Sequence, residues 1–429
     1  MQGSIIFSCI LFFALSLFFF NLWKIVRNIR LGKAKNRFDQ PLKRTIILLK
    51  IAFGQTKLFD RPVSGILHAL VYWGFLVITI GTLEMMVDGV FGFERIFRVL
   101  GGFYNLITAS GDVMAVLVLF SCLVFMFRRL FLKIKRFSGK EMKKSSSIDA
   151  IVALVIIVFL MISLLTMNIG YIGIHSENYY GFFPVSNLLL SYFTNLNLNL
   201  LYQISWWTHI MLVLIFLNEL PYSKHFHVVM SIPNVYFSNI EHLGKIENMP
   251  SVTKEVKLMM DPNTNPYATP DNDVPTPQSF GAKDVTDLNW VQLMNAYSCT
   301  ECGRCTSECP ANQTGKLLSP RKIMMDTRQR LKEVGKNIDK HGKDYSDNKS
   351  LLNDYISTEE LWACTTCNAC TQACPLNIDP LSIIVDLRRY LVMEESAAPT
   401  ELNMMFTNIE NNGAPWQFPA VDRLKWKDE

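Results

Sequence analysis

The sequence predicts a mainly α protein in which a bundle of five membrane-spanning helices precedes a helical domain organised around cysteines. Half of the 429 residues are apolar and only 18% are charged, which is unusual for a soluble chain. The long apolar runs lie almost entirely in residues 1–221, whereas eight of the ten cysteines follow residue 230. We therefore expect the two halves of the chain to face different solvents.

Five segments are long and apolar enough to cross about 30 Å of hydrocarbon as helices of roughly 20 residues each. They lie near residues 4–23, 64–86, 104–127, 148–170 and 204–225. The first segment has no basic region before it and no small-residue cleavage site after it. We expect it to remain as a membrane helix, because a secretory signal peptide would carry both features.

The basic residues of the loops predict the orientation in the membrane. Eight lysines and arginines lie between Lys24 and Arg44, and eight more lie between Arg128 and Lys144. The loops on the other side contain only two, at positions 95 and 98. Because basic loops stay on the cytoplasmic side, we expect a multi-pass protein of the bacterial cytoplasmic (inner) membrane, with its N-terminus outside and its C-terminal half in the cytoplasm. These loops account for the net charge of +5, so nucleic acid is not an expected partner.

Four histidines are candidate ligands of haem b in the membrane half. Ionisable side chains at membrane depth are costly and are usually retained for a function. His68 lies near the inner end of the second helix, His209 near the outer end of the fifth, and His225 and His227 at its inner end. The spacing of 18 residues from His209 to His227 is five helical turns, which predicts one shared face. His68 with His227 is the expected axial pair, with His225 as a substitute for His227.

A second haem at His209 stays open, because no further histidine follows His68 on the second helix. His175 or Met86 could supply the missing ligand. The alternative to haem ligation is structural: the histidines at the membrane surface could reach the interface, and His68 could form a hydrogen bond between helices.

Five helices with histidines on the second and fifth, and the segment PYSKHFH ending at His227, resemble a known family. They are similar to the cytochrome b subunit of respiratory nitrate reductase and to its relatives in membrane-bound heterodisulfide reductase. The resemblance covers about residues 1–240. It implies that the second and fifth helices carry haem and that the subunit exchanges electrons with the quinone pool, so quinone is an expected exchangeable substrate.

A linker is predicted between a membrane domain of residues 1–233 and a cytoplasmic domain of residues 284–429. It covers residues 234–283. Five prolines lie between residues 261 and 281, and together with several Asn and Asp residues they exclude regular structure there.

Two identical cysteine patterns carry the most specific chemistry of the sequence. The pattern CxxCxxCxxxCP occurs at Cys299, Cys302, Cys305 and Cys309, and it recurs 65 residues later at Cys364, Cys367, Cys370 and Cys374. This is the bacterial ferredoxin pattern for two [4Fe-4S] clusters, in which the fourth cysteine of each run binds the other cluster. We therefore expect one cluster on Cys299, Cys302, Cys305 and Cys374, and the other on Cys364, Cys367, Cys370 and Cys309. The predicted fold is a five-helix transmembrane bundle followed by an α-helical 2[4Fe-4S] ferredoxin-like domain.

Zinc and disulfides are weaker explanations of these runs. A structural zinc site uses paired CxxC motifs, which would leave the third cysteine of each run without a role, and the expected reducing compartment disfavours disulfides. Cys9 and Cys122 lie in predicted membrane helices and are interpreted as small apolar residues. Arg304, Arg321 and Arg388 lie near the runs and are interpreted as ordinary surface charge.

Residues 284 to about 426, including the segment NNGAPWQF, resemble the iron-sulfur domain of heterodisulfide reductase subunits and of glycolate and lactate oxidase iron-sulfur proteins. The whole chain thus resembles a fusion of a nitrate reductase gamma-like or heterodisulfide reductase cytochrome b domain with a heterodisulfide reductase-like ferredoxin domain. In those relatives a cysteine-rich domain with CCG motifs follows. The present sequence has no CCG motif and no glycine-rich nucleotide loop. We expect the catalytic site on a soluble partner, either a CCG-domain iron-sulfur protein or a flavoprotein.

These observations predict an oxidoreductase subunit that passes electrons between a cytoplasmic partner and membrane quinone through two [4Fe-4S] clusters and haem b. One alternative is a membrane-anchored ferredoxin without haem or a quinone site, which assembles a redox complex. Another couples redox chemistry to ion movement, with Glu219 as the candidate acidic residue. A simple ion pair between Glu219 and Lys224 is the competing explanation for that residue.

Overall fold

The computed structural model describes residues 2–132, 134–137, 139, 141–175, 178–262, 279–417 and 419–428. In chain order the helices of the N-terminal part are α1 (Gln2–Ile29), α2 (Pro41–Leu48), α3 (Pro62–Phe91), α4 (Gly102–Phe131), α5 (Lys144–His175), α6 (Pro184–Leu189), α7 (Leu198–Glu219), α8 (His227–Tyr236) and α9 (Pro250–Met260). Within the described residues, extended backbone pairs only as isolated bridges. The prediction of a mainly α protein is confirmed.

The five predicted membrane segments are helices, and in the described part of the chain five helices are long and apolar enough to cross a membrane: α1, α3, α4, α5 and the helix that begins at Leu198. They expose large apolar side chains, for example Phe12 and Phe120, which are 76% and 58% exposed. Such exposure is expected where lipid rather than water surrounds the helices.

The five long helices form a closed ring. Each packs against its neighbours in the order α1, α3, α4, α5, α7 and back to α1. Thus α1 lies between α3 and α7, the helices that correspond to the second and fifth predicted segments. The cysteine-bearing part covers one end of this bundle, which we call the cluster end, and we call the opposite end the far end.

The fifth helix is shorter than predicted. It ends at Glu219, and two 3₁₀ turns, Leu220–Tyr222 and Lys224–Phe226, lead to a separate helix, α8, that begins at His227. The prediction that His209 and His227 share one face of a single helix is therefore wrong. Pro221 explains the break, because proline lacks the N–H that a continuing helix needs and its ring clashes with the preceding turn.

The helix α8 is held against the cluster end by α2. Arg44 of α2 is fully buried, and its guanidinium donates to the backbone carbonyls of Tyr236 and Ser238 at 3.1 and 2.9 Å. These carbonyls lie at the C-terminal end of α8, where a cation satisfies acceptors that the helix leaves free. This contact fixes the position of the helix that begins with His227.

The helices that follow are shorter and surround the cysteines. They are α10 (Trp290–Ser298), α11 (Arg304–Ser307), α12 (Pro310–Gln313), α13 (Pro320–His341), α14 (Leu351–Asp354), α15 (Thr358–Trp362), α16 (Ala369–Ala373), α17 (Pro380–Met393) and α18 (Thr400–Asn412). Prolines at the first positions of α12, α13 and α17 fit there because the first turn of a helix leaves its N–H groups unpaired.

One apolar core joins the bundle to the cysteine-bearing part. Ile25 and Ile29 of α1 and Met230 of α8 belong to the same buried cluster as Leu293 and Leu387. Burial of apolar surface is the main favourable contribution to such packing, so the two parts are not joined by a flexible connection alone.

The loop after α1 is attached to α10 by backbone pairing. Lys33 N donates to Leu288 O at 2.8 Å, and Trp290 N donates to Lys33 O at 3.2 Å. Gly32 allows this approach, because a Cβ atom at this position would lie 2.6 Å from the backbone nitrogen of Trp290. A loop that the sequence marked only as basic is therefore also a structural contact.

The predicted linker is partly ordered. The helix α9 occupies Pro250–Met260, which the sequence did not predict, and Pro250 stands at its first position, where proline is well tolerated. The proline-rich stretch predicted to lack regular structure lies mostly outside the described residues, at 263–278. The proposed boundaries at residues 233 and 283 remain predictions.

Asp112 of α4 ties the far end of the bundle together. Its side chain is 1% exposed and accepts hydrogen bonds from the backbone nitrogens of Val185 and Ser186 at 2.8 and 2.9 Å. It also accepts from the Ser186 hydroxyl at 2.5 Å and from Asn168 Nδ2 at 3.3 Å. One carboxylate thus fixes the start of α6 against α4 and α5.

We expect Asp112→Ala to destabilise the folded protein by about 3 kcal/mol, because several buried donors would lose their acceptor. Thermal unfolding in detergent should show a lower midpoint than the wild type. Asp344→Ala is the matched control, since Asp344 is exposed in a loop and its replacement should leave the midpoint unchanged. Equal midpoints for both variants would contradict this account of Asp112.

Candidate metal centres

The two cysteine runs fold as two copies of one backbone turn. The residues two and four positions after the first cysteine have positive φ in both runs: Glu301 and Gly303 at 56° and 72°, and Thr366 and Asn368 at 56° and 61°. Each left-handed residue other than glycine costs roughly 1–2 kcal/mol. A short helix follows in each copy, α11 or α16, and carries the third cysteine. The repeat in the sequence is therefore a repeat in conformation.

The two copies face each other, because α11 packs against α16. As a result, Cys374 from the second run has Cys302 and Cys299 of the first run as electrostatic neighbours. Cys305 has the same three cysteines among its neighbours. We call these four residues the first cysteine group.

The reciprocal arrangement holds for the other four cysteines. Cys309, which ends the first run, is an electrostatic neighbour of Cys364, and so is Cys367. Cys364 is also a neighbour of Cys370. We call Cys364, Cys367, Cys370 and Cys309 the second cysteine group. In each group the fourth cysteine comes from the other run.

The donor chemistry of both groups fits a thiophilic metal. All ten cysteines of the chain are free thiols. Burial raises the pKa of Cys299 to about 11 and the pKa values of Cys370 and Cys374 to about 12. These thiols would stay protonated at neutral pH unless a bound cation compensated the charge of the thiolates. A metal or an iron-sulfur cluster supplies that compensation, and its binding would release protons.

The interpretation of Arg304 and Arg321 as surface charge is wrong, because they are only 6% and 1% exposed. Arg304 Nη1 donates to the carbonyl of Lys57 at 2.8 Å, and Arg321 Nη2 pairs with Glu141 Oε1 at 2.5 Å. Both partners lie in segments between the membrane helices, so these arginines attach the cysteine-bearing part to the bundle. Arg388 is half-buried and donates to two backbone carbonyls.

The structure brings His68 and His227 together at the cluster end. Their ring centroids are 6.4 Å apart with an interplanar angle of 38°. His68 Nδ1 is buried and has no hydrogen-bond partner in the described part of the chain. His227 Nδ1 lies 3.3 Å from the carbonyl of Lys224, and burial lowers the pKa of His227, so this ring is neutral at pH 7.

His225 belongs to a different set of contacts. Its ring lies 6.3 Å from the ring of His227, but its Nδ1 contacts Ser223 Oγ at 2.7 Å and lies 3.8 Å from Asp149 Oδ1. Burial, followed by the charge of His227, lowers the pKa of His225 to about 3. A hydroxyl and a carboxylate already occupy one side of this imidazole.

His209 is buried in the middle of the bundle, away from the other candidates. Its Nδ1 lies 3.0 Å from Leu160 O and 3.1 Å from Ser163 Oγ, and its Nε2 is buried with no partner within the described residues. The suggested second ligands have other contacts. His175 Nε2 pairs with Glu94 at 3.0 Å, and Met86 packs beside an apolar cluster of the far end.

The predicted alternative for Glu219, an ion pair with Lys224, is not what forms. Lys224 Nζ donates to the hydroxyl of Ser146 at 2.9 Å. The side chain of Glu219 is instead hydrogen-bonded to Asp149 of α5. Single ligand atoms of Glu219, Asp149 and His225 lie within 4.8 Å of one another. Sequence spacing could not reveal this cluster, because its members come from three separate elements.

The far end contains a cavity that the sequence did not indicate. Its volume is about 250 Å³, and its lining includes Glu84, Asp88, Arg95, Trp206 and Trp207. Glu84 is 2% exposed and accepts from the hydroxyl of Tyr104 at 3.0 Å. Two acidic residues near the end of the second membrane segment were a signal for such a site, because buried ionisable side chains in membrane helices are usually retained for a purpose.

Comparison with known proteins supports the iron-sulfur interpretation. Residues 298–378 match the family described as "4Fe-4S dicluster domain". The chain is 29% identical, over its whole length, to 62% of the probable iron-sulfur-binding oxidoreductase FadF of Bacillus subtilis. It is 26% identical, over 98% of its length, to 59% of the EtfAB:quinone oxidoreductase of Syntrophomonas wolfei. The chain thus spans about three fifths of the length of these curated relatives.

The cysteine-bearing part has relatives of its own. Over 28% of this chain it is 32% identical to 60% of one polypeptide of the ferredoxin/F(420)H(2)-dependent CoB-CoM heterodisulfide reductase of Methanosarcina acetivorans. No solved structure matches the chain. The predicted resemblance to heterodisulfide reductase subunits is confirmed for the iron-sulfur part: this chain is a helical relative of FadF-like and heterodisulfide reductase iron-sulfur subunits, and it carries a 4Fe-4S dicluster domain at residues 298–378.

Proposed function

We propose that this chain transfers electrons between a cytoplasmic redox partner and membrane quinone, through two [4Fe-4S] clusters and haem b. The observation that carries the proposal is the adjacency of the cysteine groups and the histidine pair. Arg304 lies between Cys302 and Cys305 in the sequence, and its charge also acts on His68. Carriers held at these positions would follow one another from the cysteine-bearing part into the bundle.

We propose that the first cysteine group holds one cluster and the second cysteine group holds the other. The facing helices α11 and α16 support this division, because they carry the third cysteines of the two runs. Cys367 is exposed, whereas Cys299 is buried. The second group therefore offers the more accessible point for a soluble partner to deliver or remove electrons.

His68 and His227 are the proposed axial ligands of one haem b. Two imidazole–metal bonds of about 2 Å each, with the ring radii added, give roughly 6 Å between ring centroids, and the observed separation is 6.4 Å. The carbonyl of Lys224 near His227 Nδ1 would hold that ring with its other nitrogen available, as hydrogen-bond acceptors behind ligand histidines do. Bound haem b would supply a one-electron carrier. His209, with one unpartnered nitrogen within the described residues, keeps a second haem open, and His225 is the less suitable substitute because of its existing contacts.

The names of the relatives support the remaining parts of the proposal. One relative is named for quinone and another as an oxidoreductase, which agrees with quinone as the exchangeable substrate here. We further propose a CCG-domain iron-sulfur protein or a flavoprotein as the soluble partner. The basic loops support a cytoplasmic position for the cluster end and a bacterial inner membrane as the location.

A reduced-minus-oxidised visible spectrum of the purified protein tests the haem. We expect a b-type α band, and we expect a quinol analogue to reduce that band in reconstituted membranes, because the histidine pair lies at the membrane surface. Loss of the response after heat denaturation is the control. A spectrum with iron-sulfur absorption but no b-type band would refute the haem and favour the membrane-anchored ferredoxin instead.

A further inference from the structure

Basic side chains collect around the first cysteine group. Lys57 Nζ donates to two backbone carbonyls, one of them that of Cys374, at 3.2 Å each. The charge of Arg304 acts on Cys302 and Cys374, and the charge of Arg136 acts on Cys302 as well. These cations come from the loop before α3, from α11 and from the segment between α4 and α5. The folded chain therefore places three positive charges beside one group of ligands.

Carboxylates near this group offset only part of that charge. Glu301 forms an ion pair with Arg328, whose guanidinium also donates to the carbonyl of Cys299 at 2.8 Å. That pair is neutral as a whole. Asp60 lies near Lys57, but it is exposed, so water screens its charge.

The surroundings of the second cysteine group are close to neutral. Arg388 Nη2 donates to the carbonyl of Cys364 at 2.6 Å. The carboxylate of Asp379 acts on Cys370 and is held by the hydroxyl of Thr371 at 3.1 Å. One cation and one carboxylate largely cancel, so the two groups differ in their electrostatic environment.

We propose that the cluster on the first cysteine group has the higher reduction potential, and that Lys57, Arg136 and Arg304 are the positioning residues that set it. Electrons then run downhill from the second cluster toward the histidine pair in the bundle. This inference rests on the proposed function, since it presupposes both clusters. It adds the internal direction of electron flow and the residues that determine it.

The physical reason is the change of charge on reduction. A cluster held by four thiolates gains one negative charge when it accepts an electron, so nearby cations stabilise its reduced form and raise its potential. The exposure of Cys367 acts in the opposite direction, because water also stabilises the added charge. We expect the cations to dominate, since they act through partly buried surroundings in which charges interact more strongly than in water.

The transfer itself is a one-electron exchange. A soluble reductant gives one electron to the second cluster, taking it from the 2+ to the 1+ state. The second cluster then returns to 2+ as the first cluster passes from 2+ to 1+. No proton or bond is involved.

Redox titration of the full-length protein in detergent, followed by electron paramagnetic resonance, tests the proposal. We expect two one-electron transitions. Lys57→Met should lower only the upper one, by about tenfold in the ratio of reduced to oxidised cluster at a fixed potential, which is about 59 mV. Lys57→Arg, which keeps the charge, should restore it. Arg388→Met should lower only the lower transition, and Lys340→Met, at an exposed position, should move neither.

Three results would overturn the inference: coincident transitions, a Lys57→Met shift confined to the lower transition, or no shift at all. If Lys57→Met does not assemble, Arg136→Met replaces it, with the same expected shift of the upper transition. Iron analysis separates the two levels of the proposal. About eight non-haem irons with the wrong order of potentials refutes the inference alone, whereas a chain without two clusters refutes the proposed function.

Discussion

Replacing Cys374 with alanine is expected to remove the cluster of the first cysteine group, although Cys374 belongs to the second run. The reason is the facing arrangement of α11 and α16, which gives Cys374 the neighbours Cys299 and Cys302. Non-haem iron should fall from about eight to about four per chain. The remaining paramagnetic signal should match that of Cys302→Ala.

The reciprocal pair makes this test specific. Cys309→Ala should leave the same signal as Cys364→Ala, because Cys309 lies beside the second run. Cys122→Ala is the matched control: this thiol is also buried but lies within α4, and its loss should leave all of the non-haem iron in place. If Cys374→Ala matches Cys364→Ala instead, each run binds its own cluster and the proposed division is wrong.

Replacing His68 with alanine is expected to abolish the b-type α band of the haem at the cluster end, and His227→Ala should do the same. A bis-histidine haem needs both imidazoles, and the ring of His68 lies beside that of His227. Visible difference spectra and haem extraction measure the loss, which should be nearly complete. The iron-sulfur signals should persist in both variants.

Two further histidine variants separate the alternatives. His225→Ala is the matched control, because its Nδ1 already contacts Ser223, and we expect it to retain the band. His209→Ala decides the question of a second haem: a partial loss of haem would establish a second site in the middle of the bundle. A normal band in His68→Ala would refute the proposed ligand pair, and loss of the band only in His225→Ala would make His225 the ligand.

His68 and His227 meet by a different route from the one that the sequence predicted. The sequence placed this pair on adjacent second and fifth helices. The structure instead inserts α1 between α3 and α7, and it moves His227 onto α8. The two rings meet because the chain turns across the end of the bundle after Pro221, and because Arg44 holds α8 there.

Several contacts of the cluster end were invisible to sequence reasoning for a common reason. Lys57 and Arg136 lie in basic segments that served only to predict orientation, yet they act on cysteines more than 160 residues away. Glu219 was paired with the nearest lysine in sequence, whereas Asp149 of another helix is its partner. Long-range partners depend on which elements pack together, and one sequence carries no signal for that.

The sequence by itself determined the secondary structure class, the five long helices and the two cysteine patterns, because hydrophobic run length and ligand spacing are local properties of the chain. Only the tertiary structure decided which cysteine faces which run, where the fifth helix ends its course relative to His68, and which charges surround each cysteine group. These features depend on packing between segments far apart in sequence, and their energies come from burial and electrostatics that arise only once the chain has folded.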